Sequence, residues 1–320
     1  MLHTMLDTWT SLAFGGFGAA PLLPGSLPAS ERGAGQFTSG LFESDAGSLH
    51  YKLFVPSTYD GTPLPLVVML HGCGQNADDF ALGTGMNELA EQFGCLVVYP
   101  EQSRGANWQG CWNWFEKAHH ERDQGEPALI AGITQKIIAD YAVDRTRVGI
   151  AGLSAGGSMA VILGRTYPDL YTAVGCHSGL AHGSATDSFG AMQAMRHGAD
   201  VCPLVDTDST IDVPVIVFHG DMDDTVHLSN SMGVVRQSIE ASSARVTDDD
   251  AEVLTEDAGA ATRAFTRSVH RGQAGEVLAE HWTVHGAGHA WSGGSRRGTY
   301  TDAHGPDASK EMLRFFIGAT

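Results

Sequence analysis

The sequence predicts an α/β protein with a mainly parallel central sheet and helices on both faces. Short, nearly continuous apolar runs alternate with longer segments of helical spacing along most of the chain. The short runs are rich in Val, Ile and Leu, as strands buried on both faces must be. The 320 residues are 42% hydrophobic and 18% charged, which supplies apolar material for one large core.

Residues 1–48 read as an extension packed on the domain: an N-terminal helix, then a Gly-, Pro- and Ser-rich loop over 15–48. Residues 49–320 read as a single domain. Strands are expected at His50–Val55 and Pro65–Leu70, a helix over Asp78–Phe93 and a buried strand at Cys95–Tyr99. A helix over Pro127–Tyr141 leads to a strand at Val148–Ala151, a helix over Ala155–Tyr167 and a strand at Ala173–Cys176. Ser188–Met195 reads as helix, Val213–Phe218 as strand and Val226–Ala241 as helix. The stretch 242–276 is polar and acidic and reads as a surface insertion with a short hairpin around Thr262–His270. Glu280–Val284 is the last strand and Asp307–Ile317 the closing helix. In such sheets ligands bind at the carboxyl ends of the strands, so the turns that follow strands carry the search for chemistry.

The formal net charge is −18, and only four lysines occur: Lys52, Lys117, Lys136 and Lys310. That field repels nucleic acid and anionic membranes and favours a neutral substrate. No stretch reaches the roughly 18 apolar residues of a membrane span. The N-terminus lacks a basic segment and carries Asp7. It is therefore a poor signal peptide and favours a cytoplasmic location, with secretion open if a leader has been lost. Cys73, Cys95, Cys111, Cys176 and Cys202 form no CxxC pair, so neither a zinc ribbon nor a redox motif is indicated. Nothing in the sequence indicates a metal or an organic cofactor, and oligomeric state has no signal.

Gly152-Leu153-Ser154-Ala155-Gly156 matches G-x-S-x-G between an apolar strand and an apolar helix, the context the motif requires. Small flanking residues allow the sharp turn that exposes the serine. The turn also directs the Ala155 N–H at the site, beside a helix N-terminus that favours developing negative charge. A serine hydroxyl needs a base, and the base an orienting acid, in the chain order Ser, acid, His. After Val213–Phe218, three carboxylates compete: Asp221, Asp223 and Asp224. Asp221 and Asp224 also suit turn formation or capping, with Asp224 placed before the helix expected at Val226. After the last strand, the small residues before His289 suit a loop that delivers an imidazole. His285 adjoins the strand end and reads as structural, as do His71 and His219 at theirs. Cys73, in the loop directly after Pro65–Leu70, is the candidate for a second oxyanion donor through its N–H. Loss of one such donor costs on the order of 3 kcal/mol in the transition state.

Together these pieces resemble the polyhydroxybutyrate depolymerase-like esterases of the α/β-hydrolase superfamily. The motifs are HGCGQNADDF (71–80), VVYPEQS (97–103), CWNWF (111–115), GLSAGG (152–157), HGDMDDTV (219–226) and GAGHAWSGG (286–294). The resemblance implies the α/β-hydrolase fold and a Ser-His-Asp esterase acting through an acyl-enzyme. Its HGxxD pattern selects Asp223, GHAW selects His289, and HGC selects Cys73 as oxyanion donor beside Ala155. It further implies a Cys73–Cys111 disulfide and a substrate role for Trp291; Trp112 and Trp114 are substrate candidates on a separate ground, that aromatic walls are common in ligand pockets. The substrates it implies are small or oligomeric neutral esters, hydroxyalkanoate or short-chain, or feruloyl and acetyl esters of plant polysaccharides. The polymer-binding domain and linker of secreted depolymerases are missing from this sequence, which favours oligomers or amorphous polymer over crystalline polymer. A serine peptidase would use the same triad, and a non-catalytic binding module of the same fold would lack one of its members.

Overall fold

A computed structural model describes residues 35–199, 213–241, 252–256 and 262–318. Its centre is a ten-stranded sheet in the order β1-β2-β4-β3-β5-β6-β7-β10-β9-β8. The strands are β1 (Gln36–Ser44), β2 (Gly47–Val55), β3 (Leu64–Leu70), β4 (Leu96–Glu101), β5 (Val143–Leu153), β6 (Ala173–His177), β7 (Val215–Gly220), β8 (Glu252–Glu256), β9 (Phe265–Arg271) and β10 (Val277–Val284). The six from β4 to β10 in that order run parallel, and the outer strands on each side pair antiparallel.

The parallel strands are covered on both faces, as their sequences demand. In β3, Leu66, Val68 and Leu70 enter one core, and Val67 and Met69 enter the other. All five are fully buried, each contributing about 1.5–3 kcal/mol of hydrophobic stabilisation. The first core is completed by α3 (Gly125–Asp140), α4 (Ala155–Thr166), α5 (Ser188–His197) and α6 (Ser229–Ala241). The second is completed by α1 (Ala77–Thr84), α2 (Met86–Phe93) and α7 (Ala308–Ile317). A two-stranded ladder, β11 (Trp291–Ser292) with β12 (Thr301–Asp302), lies in the segment between β10 and α7.

Four expectations are corrected. Residues 36–48 are not loop: they form β1 and the start of β2, a hairpin whose alternating pattern is masked by its exposed outer face. The rest of the expected N-terminal extension, up to residue 34, lies outside the described residues. The helix expected over 78–93 is two helices, broken at Gly85, whose φ of 63° ends α1 and begins α2. The insertion at 242–276 is in part sheet. β8 and β9 extend the central ladder beyond β10, and their polar side chains reflect edge exposure rather than a detached excursion. Finally, α6 starts at Ser229, so Asp224 does not cap it. Among the described residues no helix is long and apolar enough to cross a membrane.

Candidate active site

Ser154 sits between β5 and α4 with φ 57° and ψ −118°, a left-handed backbone costly for any side chain. The turn is possible because Gly152 and Gly156 pass close to each other and to β3. A Cβ on Gly152 would lie 2.3 Å from the Gly156 carbonyl carbon, and one on Gly156 would lie 2.1 Å from the Leu70 oxygen. The Ser154 N–H donates to the His177 carbonyl at 2.8 Å, tying the turn to β6. Ala155 is the first residue of α4, so its N–H is one of the donors a helix start leaves free.

His289 and Asp223 meet 66 residues apart in sequence, with Nδ1 2.7 Å from Oδ2. A carboxylate at Nδ1 fixes the proton there and leaves Nε2 unprotonated in the neutral ring. Asp223 is fully buried, and His289 keeps only a small exposed edge. The second Asp223 oxygen accepts the N–H groups of Thr225 (2.9 Å) and Val226 (2.8 Å). Burial pushes the Asp223 carboxyl up. The hydrogen bonds from His219, His289 and the Val226 N–H outweigh that and hold it well below the usual carboxylate range.

His219 was expected only to orient its loop, yet it also touches the acid. Its Nε2 lies 3.4 Å from Asp223 Oδ2 and 2.8 Å from the Val226 carbonyl. Two acceptors at one nitrogen place the proton on Nε2. Nδ1 is buried without a hydrogen-bond partner among the described residues. His177, stacked beside Phe218, has its pKa pushed down to about 3 by burial, then by His219 and His289, and accepts the Ser292 N–H.

The neighbouring carboxylate forms a second, similar pair. Asp221 Oδ2 lies 2.8 Å from His285 Nδ1, and Oδ1 accepts the Gly286 N–H at 2.6 Å. His285 Nε2 meets the Thr266 hydroxyl, so this half-exposed pair ties the turn after β10 to β9.

The loop after β3 is built by side chains that use its polar groups. Gln75 Oε1 accepts the Gly72 N–H, and the Gly74 N–H donates to the Gln109 carbonyl. The Cys73 N–H between them has no acceptor among the described residues and is available to a ligand. Cys73 is joined to Cys111 by a disulfide. Buried His71 braces the loop: Nδ1 donates to the Gly72 carbonyl, and Nε2 accepts the Gln102 N–H. Cys95 and Cys176 are buried free thiols, and Cys202 lies outside the described residues.

Ser154, His289 and Cys73 line one cavity of about 470 Å³. Trp114, Phe115, Leu153, Met192 and Met195 form its apolar walls. Of the three tryptophans expected at substrate, Trp114 alone is there. Trp291 is buried against Phe80 and His177, with its Nε1–H on Ser309. Trp112 is buried under the loop after β3, donating to the His71 carbonyl. Each therefore supports a site loop from behind, since an indole buried in a core must satisfy its N–H there. Phe115, Met192 and Met195 were not anticipated; single apolar residues on a loop and on α5 carry no sequence signal of their own. Among the described residues no group of three or more His, Cys, Asp or Glu side chains is arranged to hold a metal ion.

The family model described as "Esterase PHB depolymerase" matches residues 49–251, nearly two thirds of the chain. The chain belongs to this PHB depolymerase esterase family. The matched span includes Cys73, Ser154 and Asp223 and ends before His289. A poly(3-hydroxyalkanoate) depolymerase C from Paucimonas lemoignei is 31% identical over 78% of this chain and 60% of its own length. A feruloyl esterase B from Neurospora crassa is 31% identical over 43% of this chain and 47% of its own. The chain thus spans about half the length of these relatives. The acetyl xylan esterase from Aspergillus awamori superposes with a TM-score of 0.62 at 20% identity, covering 80% of this chain and 94% of that one. That likeness establishes the α/β-hydrolase fold.

Proposed function

We propose that the protein is a serine esterase that cleaves hydroxyalkanoate-type or short-chain esters through an acyl-enzyme. The observation that carries this reading is the convergence, on one apolar-walled cavity, of a left-handed Ser154 and a His289 held by a buried Asp223. Ser154 Oγ attacks the ester carbonyl and gives its proton to His289. The alcohol leaves with that proton. Water then attacks the acyl-enzyme and gives a proton to His289, which returns it to Ser154 Oγ as the acyl–oxygen bond breaks and the acid is released. Asp223 fixes the imidazole tautomer and stabilises its cation. The N–H groups of Cys73 and Ala155 receive the oxyanion.

The mostly apolar cavity suits an uncharged acyl chain, and the chain's net negative charge disfavours an acidic one. Similarity to a feruloyl esterase favours a second reading, an aromatic or acetyl ester as substrate. The Cys73–Cys111 disulfide favours an oxidising compartment over the cytoplasm expected from the N-terminus.

The test compares p-nitrophenyl butyrate, hydroxybutyrate oligomers, amorphous polymer, methyl ferulate and a peptide amide. Hydrolysis of the first three, abolished in Ser154→Ala together with fluorophosphonate labelling, is the expected result. Undiminished turnover by Ser154→Ala would end the proposal, and a clear preference for methyl ferulate would favour the second reading.

A further inference from the structure

Four non-glycine residues among those described have a left-handed φ: Asp123, Ser154, Ser178 and Tyr300. Two of the four, Ser154 and Tyr300, line the cavity. A bulky residue at φ 51° is a genuine outlier, and such strain persists only where the surroundings enforce it. The enforcement is visible on both sides of Tyr300. The preceding Thr299 donates its N–H to Asp79 Oδ1 at 3.0 Å, and its hydroxyl also bonds Asp79. Its carbonyl accepts Gln75 Nε2 at 3.0 Å. Tyr300's own carbonyl accepts the Trp291 N–H at 2.7 Å, and the Thr301 hydroxyl donates to the Ser295 carbonyl. The backbone is fixed before and after the residue, and Tyr300 lines the cavity between these anchors.

Packing does not explain this conformation. The Tyr300 side chain is about half exposed and belongs to neither core. Gln75 supplies a functional link instead. The same amide that holds Thr299 through Nε2 accepts the Gly72 N–H through Oε1, so one side chain sets both the oxyanion loop and the Tyr300 segment.

We propose that Tyr300 is a substrate-binding residue whose ring contacts the part of an extended neutral ester beyond the reacting carbonyl. This rests on the esterase reading above and adds specificity to it. A cavity of about 470 Å³ is far larger than an acetyl group and a methanol leaving group require. A tyrosine face at its exposed side offers an apolar platform for the next unit of an oligoester. The contact favours long substrates over short ones.

The experiment measures kcat and KM for methyl acetate and for a hydroxybutyrate trimer methyl ester, with the parent, Tyr300→Gly and Tyr300→Phe. Melting temperature and fluorophosphonate labelling are recorded on each. In Tyr300→Gly, the ratio of kcat/KM for trimer to that for methyl acetate falls about fivefold or more, as expected for one aromatic contact, and the loss appears in KM. Its melting temperature holds or rises, because glycine relaxes the left-handed φ. Tyr300→Phe keeps the ratio. An unchanged ratio in Tyr300→Gly overturns the inference. So does an equal loss on both esters accompanied by a lower melting temperature, which marks a structural role. A parent protein that cleaves neither ester and takes no label overturns the esterase reading itself, and this inference with it.

Discussion

Replacing Gly156 with alanine tests how tightly the Ser154 turn is built. The added Cβ would lie 2.1 Å from the Leu70 oxygen and 2.6 Å from the His71 oxygen. Ordinary contact begins near 3.4 Å, so β3 and α4 must separate by about 1.3 Å. Both obstacles are backbone, and rotamer changes cannot relieve them. Leu70 is hydrogen-bonded into the sheet opposite Gly152, so a shift there moves the Ser154 turn and the oxyanion loop apart. Overpacking of this kind costs on the order of 3 kcal/mol or more. In a chain of this size that lowers the melting temperature by on the order of 5 °C or more. A displacement of about 1 Å between catalytic groups costs on the order of 100-fold in rate. Hydrolysis of p-nitrophenyl butyrate and thermal melting, measured on the same preparation, give both numbers. Gly190→Ala is the control: its Cβ would sit in ordinary contact, 3.4 Å from Asp187, and alanine is the better helix former by about 1 kcal/mol. A Gly156→Ala protein that melts with the parent and keeps more than about a tenth of its activity would refute this account of the turn.

Two further outcomes are expected. His219→Leu removes a donor that helps hold the buried Asp223 carboxylate in place beside His289, so kcat/KM at about pH 7.5 falls about tenfold or more. His219→Gln, which can place an amide N–H near the same oxygen, restores much of the loss, and an undiminished kcat/KM in the leucine variant would show that His219 does not act on the acid. Stability falls on acidification because buried His177, His182 and His281 have pKa values pushed by burial to about 3, 4 and 4, against 6.5 in the unfolded chain. Below pH 6.5 the unfolded chain binds protons the folded one refuses, so folding weakens as pH drops towards 4, and the depressed Asp223 adds to the loss at lower pH, where the unfolded carboxyl takes up its proton. Urea unfolding at pH 7 and pH 5 measures this, and His182→Gln should flatten the slope by up to about 1.4 kcal/mol per pH unit.

The sequence by itself determined what is written within a few residues. Apolar strand, Gly-x-Ser-x-Gly and apolar helix specify the Ser154 turn, because its tight approach depends on glycines two residues to either side. The order of Ser154, an acid after β7 and His289 after β10 followed from the run of strands. Only the tertiary structure shows how the carboxylates after β7 divide: Asp223, which the HGxxD resemblance singled out, pairs with the histidine that lines the cavity. Asp221 and Asp223 each pair with a histidine at nearly the same distance, 2.8 and 2.7 Å. The first pair ties one turn to β9; the second is buried and reaches the cavity, and the two aspartates are separated by a single methionine. The tryptophans divide in the same way. Trp291 adjoins the catalytic loop in sequence but turns into the core, whereas Trp114 turns out into the cavity with Phe115. Tyr300 carried no motif, and its place is set by Asp79 and Gln75, more than 200 residues away. The backbone of the Ser154 turn is encoded by its own glycines, but the left-handed backbone at Tyr300 and the direction of side chains at the site depend on contacts that chain folding brings together from distant segments.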